Sequence, residues 1–277
     1  MIVVENKEQL KEFISQRIKT LGPNCDLNDI DVSKIDDMSY LFSESSFNGD
    51  ISQWDVSNVE NMKFMFNYSQ FNGDISQWDV SNVRSMSCMF RGSWFTRDIS
   101  NWNTSRVEDM DYMFSYSVFN GDISKWDVSN VRDMHFMFAD SKFNRDISNW
   151  NTSRVETMRG MFQYSPFNSD ISKWDVSNVR DMANLFRRTP FDGDISRWDV
   201  SRVRDMSAMF AGSSFNKDIS EWDVSNVRSM NYMFSESKFR GDLSKWNTSK
   251  VEQSLHIFSR SLLEGKEPEW CKQAQES

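Results

Sequence analysis

The side chains of this 277-residue chain that could do chemistry fall into rows, not clusters. One aspartate recurs at Asp50, Asp74 and Asp98 and onward, and a second acidic row runs Asp55, Asp79, Asn103, Asp127, Asn151. A carboxylate row could coordinate calcium, but the glycine-rich nonapeptide that builds such sites in β-solenoids is absent. Each aspartate is instead expected to accept hydrogen bonds from amides of its own turn, with no metal bound. The two histidines, His135 and His256, fit no Ser/His/Asp or Cys/His arrangement. Cys25, Cys88 and Cys271 are odd in number and widely separated, with no C-x-x-C, which points to free thiols. There is no Walker loop and no G-x-G-x-x-G. The expectation is a protein that is not an enzyme and carries no cofactor.

What remains is the chemistry of recognition. One variable row reads Tyr40, Phe64, Cys88, Tyr112, Phe136, Gly160, Asn184, Ala208, Tyr232. Four residues further along, a second reads Glu44, Tyr68, Gly92, Tyr116, Asp140, Tyr164, Arg188, Gly212, Glu236. Trp94 belongs to a third variable row. Exposed aromatics and arginine carry much of the energy of protein interfaces. The candidate partner-binding residues are therefore Phe64, Tyr68, Trp94, Tyr112, Tyr116, Phe136 and Tyr164, with Arg187 and Arg188 beyond them. The bland alternative is that these rings only pack over their neighbours and shield the core. A further row, Glu60, Arg84, Glu108, Arg132, Glu156, Arg180, alternates in sign like a surface ion-pair ladder. Arg204 and Arg228 break that alternation and leave a basic patch with Arg180, a modest candidate for an anion or an acidic partner.

These rows exist because the chain repeats. Trp54, Trp78, Trp102, Trp126, Trp150, Trp174, Trp198, Trp222 and Trp246 are each 24 residues apart, and Asp26 opens an earlier copy with Ile30 in place of the tryptophan. A strict period of this length marks a solenoid. Ile51-x-x-Trp54-x-Val56-x-x-Val59 has leucine-rich spacing, with Trp54 and Val56 pointing inward from a short strand. Val59, Met62, Met65 and Phe66 are spaced for one face of a short helix, with Ser57 as N-cap, Glu60 completing a capping box and an end near Ser69. The spacing predicts a leucine-rich-repeat-like α/β solenoid, one short parallel strand and one short helix per coil. Its parts are an N-terminal capping helix in 1–25, ten coils over 26–265 and a C-terminal cap over 266–277. The cap helix runs over residues 6–21, with Asn6 as N-cap, a stripe of Leu10, Phe13, Ile14, Ile18 and Leu21, and Gly22-Pro23 as its stop. Ile2-Val3-Val4 can add an edge strand.

The phrases FNGDISQWDVSNV and MFxxSxFN resemble the BspA-type leucine-rich-repeat bacterial surface proteins, also described as the DUF285 family, over residues 26–260. The resemblance implies bacterial origin, repeat-mediated protein binding and, in many members, adhesion at the cell surface. It implies no catalytic residue. The expected partner is a protein, engaged by a monomer capped at both ends. The alternatives are an adhesin for host matrix protein or glycan, and a structural spacer. A net charge of −9 argues against nucleic acid, and no apolar run is long enough to insert in a membrane. Met1–Lys7 has no basic segment followed by an apolar one, so a cytoplasmic location is slightly favoured over the cell surface or secretion.

Overall fold

A computed structural model shows ten stacked 24-residue coils closed by a helix at the N-terminus, and it describes residues 1–273. The expected C-terminal cap therefore lies partly outside the described residues. Strand β1 (Ile2–Val3) pairs in parallel with β2 (Ile30–Asp31), so the edge strand forms, and α1 spans Lys7–Leu21. Asn6 caps α1 by accepting from the Gln9 N–H at 3.0 Å, and Gly22 ends it at φ 89°. Leu10 and Ile14 are buried against the first coil, with Phe13 and Ile18 packed beside them. Leu21, expected in that stripe, is 64% exposed.

The helix expected within each coil does not form, nor does a regular strand at Trp54–Val56. Residues 62–69 are a chain of turns. The N–H groups of Met65, Asn67 and Ser69 donate three residues back, to the carbonyls of Met62, Phe64 and Phe66. The intervening N–H groups of Met62, Phe64, Phe66 and Tyr68 point along the stack and donate to Ser85, Ser87, Met89 and Arg91 of the next coil, at 2.7–3.0 Å. This alternation needs left-handed backbone at every fourth residue, and Phe64 and Tyr68 have φ of 57° and 50°. A helix would satisfy the same groups within one coil. Stacking offers them partners in the next coil instead. The apolar spacing of Val59, Met62, Met65 and Phe66 suits both conformations, so periodicity alone could not separate them. The expected capping box is absent too: the Ser57 N–H and hydroxyl both bond to Asp55 Oδ1.

The core is continuous. Ile51, Trp54, Val56, Val59, Met62, Met65, Phe66 and Phe71 are buried, as are their equivalents along the stack. On the tryptophan side the coils are joined mainly by side chains. Trp78 Nε1 donates to the Ile51 carbonyl at 3.1 Å, and Asn82 Nδ2 donates to the Ser57 carbonyl at 2.7 Å. Where Thr104 and Thr152 replace valine, their buried hydroxyls donate to Asp127 and Asp175 carbonyls, each at 2.9 Å. The row continues past the expected nine tryptophans. Trp270, in the short helix α2 (Glu269–Gln273), stacks on Trp246 and donates to the Leu243 carbonyl at 2.9 Å, as the others do.

Equivalent rings in successive coils measure the stacking distance on each side. Outward rings over the turn ladder stand 4.6 Å (Tyr40–Phe64) and 5.0 Å (Tyr112–Phe136) apart. The Phe66 row beneath repeats at 5.5–5.7 Å over its first pairs, and the stacked tryptophans at 6.3–6.5 Å. The coils are closest at the turn ladder, so the stack bends toward it and that face is concave.

Candidate functional site

The two variable rows occupy the left-handed positions of the concave face. A non-glycine residue there costs roughly 1–2 kcal/mol of backbone strain. Glycine would be the unstrained choice, yet Tyr68, Tyr112, Tyr116 and Tyr164 hold φ of 50–57°. The variation between coils follows packing across the stack. The Tyr68 ring lies over Gly92, where an added Cβ would sit 2.3 Å from a ring carbon, and the Phe136 ring lies over Gly160 in the same way at 2.2 Å. Rings thus lie over glycine at Tyr68–Gly92 and Phe136–Gly160, whereas Tyr40–Phe64 and Tyr112–Phe136 stack ring on ring.

The candidate residues fall into three groups and one isolated side chain. Tyr68, Tyr112 and Tyr116 meet around the Arg91 guanidinium, whose carbon is 5.5, 5.2 and 5.9 Å from their ring centres. Phe136 stacks on Tyr112 and extends this group, while Phe64 stacks on Tyr40 in the first coils. Tyr164 carries Arg187 and Arg188 at 5.6 and 5.8 Å. Tyr68, Tyr116, Tyr164 and Arg188 are exposed, and Phe64, Tyr112, Phe136 and Arg187 are half-buried. Trp94 stands apart at 68% exposure. It makes no ring contact with the others among the described residues. The expectation that the two rows share a face holds, although turns and not a helix bring them together.

Arg91 was not anticipated. It lies in the same row as Arg187, and each arginine packs over the tyrosine of the preceding coil, a correspondence that the 24-residue spacing already contained. Its Nε is buried without a hydrogen-bond partner. A second unanticipated feature is a groove of about 580 Å³ beyond Arg187 and Arg188. Small residues at Ala208, Ala211 and Gly212 form its floor, and Tyr232, His256 and Arg260 its far wall. Glu236 bridges the two sides, 3.2 Å from Arg188 and 3.5 Å from Arg260.

Beside the aromatic group runs a polar one. His135 Nδ1 lies 2.5 Å from Asp133 Oδ1, and its ring meets Tyr112 edge-on at 4.9 Å. The hydrogen bond to Asp133 raises the His135 pKa above its ordinary value. Burial raises Asp111 to about 6, with Asp109 adding to the effect. Burial also pushes the Cys88 thiol to about 11, so it is not a reactive thiolate at neutral pH. All three cysteines are free and buried. The Asp50 row is committed to its own turns: Asp50 Oδ1 accepts from the Ser52 N–H at 2.9 Å, which lowers the carboxyl pKa.

Comparison with known families gives the class. A model described as "Mycoplasma protein of unknown function, DUF285" matches residues 9–118, 92–189 and 163–268. The chain belongs to this repeat family, whose function is not established. No curated protein and no solved structure matches it. Among the described residues, no helix is long and apolar enough to cross a membrane.

Proposed function

We propose that this chain is a non-enzymatic scaffold that binds a protein partner through its concave left-handed ridge. One observation carries the reading: large aromatic and arginine side chains stand at positions whose backbone favours glycine. Tyr68, Tyr116 and Tyr164 remain exposed there around Arg91, Arg187 and Arg188. Tyrosine and arginine are enriched among interface anchors, and stacked repeats commonly present a concave binding surface. The groove floored by Ala208 and Gly212 gives a protruding partner side chain a place beside Arg188 and Tyr232.

The test is affinity capture from a lysate of the source organism and, separately, from host extracellular proteins. The bait is the parent chain or the variant Tyr68→Asn, Tyr116→Asn, Tyr164→Asn. Asparagine tolerates the left-handed backbone, so the variant removes rings without adding strain. A protein retained by the parent and lost by the variant is the expected result. A protein retained equally by both overturns the ridge as the binding face.

A further inference from the structure

The opposite charge balance appears along one edge of this acidic chain. The row beginning at Asn58 reads Asn58, Asn82, Arg106, Asn130, Arg154, Asn178, Arg202, Asn226, Lys250. Two residues on, the Glu60 row supplies Arg84, Arg132, Arg180, Arg204 and Arg228. Together the two rows hold nine cations against four glutamates, from Glu60 to Glu252, in a chain of net charge −9. All nine cations are exposed. Charges farther away than about 8 Å are largely screened at physiological salt, so a ligand on this edge meets the edge and not the net charge.

The cations of the first row are built in. Arg106 Nη1 donates to Asn82 Oδ1 at 2.5 Å, while Asn82 Nδ2 is fixed to the Ser57 carbonyl. The same relay holds Arg154 through Asn130 and Arg202 through Asn178. Among the described residues, Arg106, Arg154 and Arg202 make no ion pair. A neutral amide thus fixes each guanidinium but leaves its charge and its other N–H donors free. Pre-ordering of this kind reduces the entropy lost when a ligand binds, and the planar fork suits an oxyanion.

The spacing selects the ligand. The Glu60 row is a column of backbone hydrogen bonds between coils at 2.8–2.9 Å, from Glu60 through Arg228. Coils there are about 4.8 Å apart, and an arginine relay recurs every second coil, about every 10 Å. Glu108 and Glu156 stand in the relay coils themselves, two residues after Arg106 and Arg154, and the alternate coils' Arg84, Arg132, Arg180 and Arg228 are each paired with a glutamate. Cations free of an ion pair therefore recur only every second coil among the described residues, too sparsely to match DNA, which carries one phosphate per about 3.4 Å of each strand. The edge also offers no aromatic ring in either row for base stacking. The coils with Arg106, Arg154 and Lys250 carry Asn103, Asn151 and Asn247 where most coils have aspartate, so one carboxylate three residues before each of these cations is removed.

We propose that this edge binds a linear sulfated polysaccharide, with one sulfated disaccharide unit to every two coils. It is a site separate from the aromatic ridge and does not depend on it.

The probe is a size series of heparin oligosaccharides, titrated against the full chain over a range of salt. Three variants are compared: Arg106→Gln, Arg154→Gln, Arg202→Gln; the same three positions changed to Lys; and a charge-matched control, Lys125→Gln, Lys173→Gln, Arg197→Gln, on the outer turns. The glutamine variant is expected to bind at least about tenfold more weakly at physiological salt, with a slope of log K against log salt lower by about two to three. The lysine variant should fall between, and the control should match the parent. Unchanged thermal melting confirms that exposed arginines, not folding, are at issue. The proposal is overturned if the parent does not bind at physiological salt, or if the control weakens as much as the glutamine variant. It is also overturned if single-stranded DNA of equal charge binds the parent as tightly and is released by the same glutamines.

Discussion

The Tyr68 ring rests on Gly92 of the next coil, and a methyl group added to that glycine would meet the ring at 2.3 Å. Gly92 is itself left-handed at φ 63°. Gly92→Ala therefore incurs about 1–2 kcal/mol of backbone strain, plus the displacement of the ring. In a Tyr68→Gly background only the backbone part should remain. A double-mutant cycle by chemical denaturation measures the difference, and strictly additive effects would show that ring and glycine do not touch in solution.

Trp270 should hold the last coil closed. It stacks on Trp246 at 6.3 Å and donates to Leu243, yet it is only partly buried. Trp270→Ala is expected to cost less than the ~3 kcal/mol at the lower end for a buried tryptophan. Because each coil packs mainly on its neighbours, the loss should be local. Amide exchange should quicken at Phe234 and Ser259 and stay unchanged at Phe138. Uniform loss of protection along the chain would contradict this.

The sequence made some of this legible and hid the rest for identifiable reasons. The tryptophan spacing showed the stacked coils, and Asn6, Leu10 and Ile14 showed the capping helix. Trp270 stands one period beyond Trp246 and was hidden only by the irregular copy before it. The coil conformation was harder to read. Val59, Met62, Met65 and Phe66 have helical spacing, and chained turns bury the same residues. The clue lay in Gly92, Gly160 and Gly212, three glycines in rows filled mostly by tyrosine, phenylalanine and charged residues. Glycine among such neighbours signals left-handed backbone. Arg91 could have been found from Arg187, but its contact with three tyrosines required the closeness of coils on the concave side.

Asp111 and His135 should make the middle coils more stable in mild acid. Burial raises the folded Asp111 pKa from 3.8 to about 6. In that window the folded state keeps a proton that the unfolded state has lost, so this contribution to stability falls as pH rises. His135 is raised above 6.5 by its bond to Asp133, so its contribution is present below 6.5 and is lost as pH rises through the folded value. Asp111→Asn removes the first term. The variant should gain stability relative to the parent between about pH 4.5 and pH 7.5, read as urea midpoints at the two values. An equal difference at both would mean that Asp111 titrates as an ordinary carboxylate.

Arg91 separates a structural role from recognition on the ridge. Its guanidinium lies 5.2–5.9 Å from three tyrosine rings, while its Nε is buried without a partner. Cation–π contacts contribute roughly 0.5–2 kcal/mol, and an unpaired buried polar group costs roughly 1–3 kcal/mol. At 5.2–5.9 Å from rings that are exposed or half-buried, each contact is at the weak end, so three sum to about 1.5 kcal/mol and the two effects nearly cancel. Arg91→Met, which keeps the length and apolar stem, should therefore change stability by no more than about 1 kcal/mol in either direction. If the ridge recognises a partner, the same variant should lose much of the capture shown by the parent, because the tyrosines lose the cation that positions them. Denaturation and capture on one preparation distinguish the outcomes. A large stability loss with capture intact would make Arg91 a packing residue and would move recognition to the groove beyond Arg188.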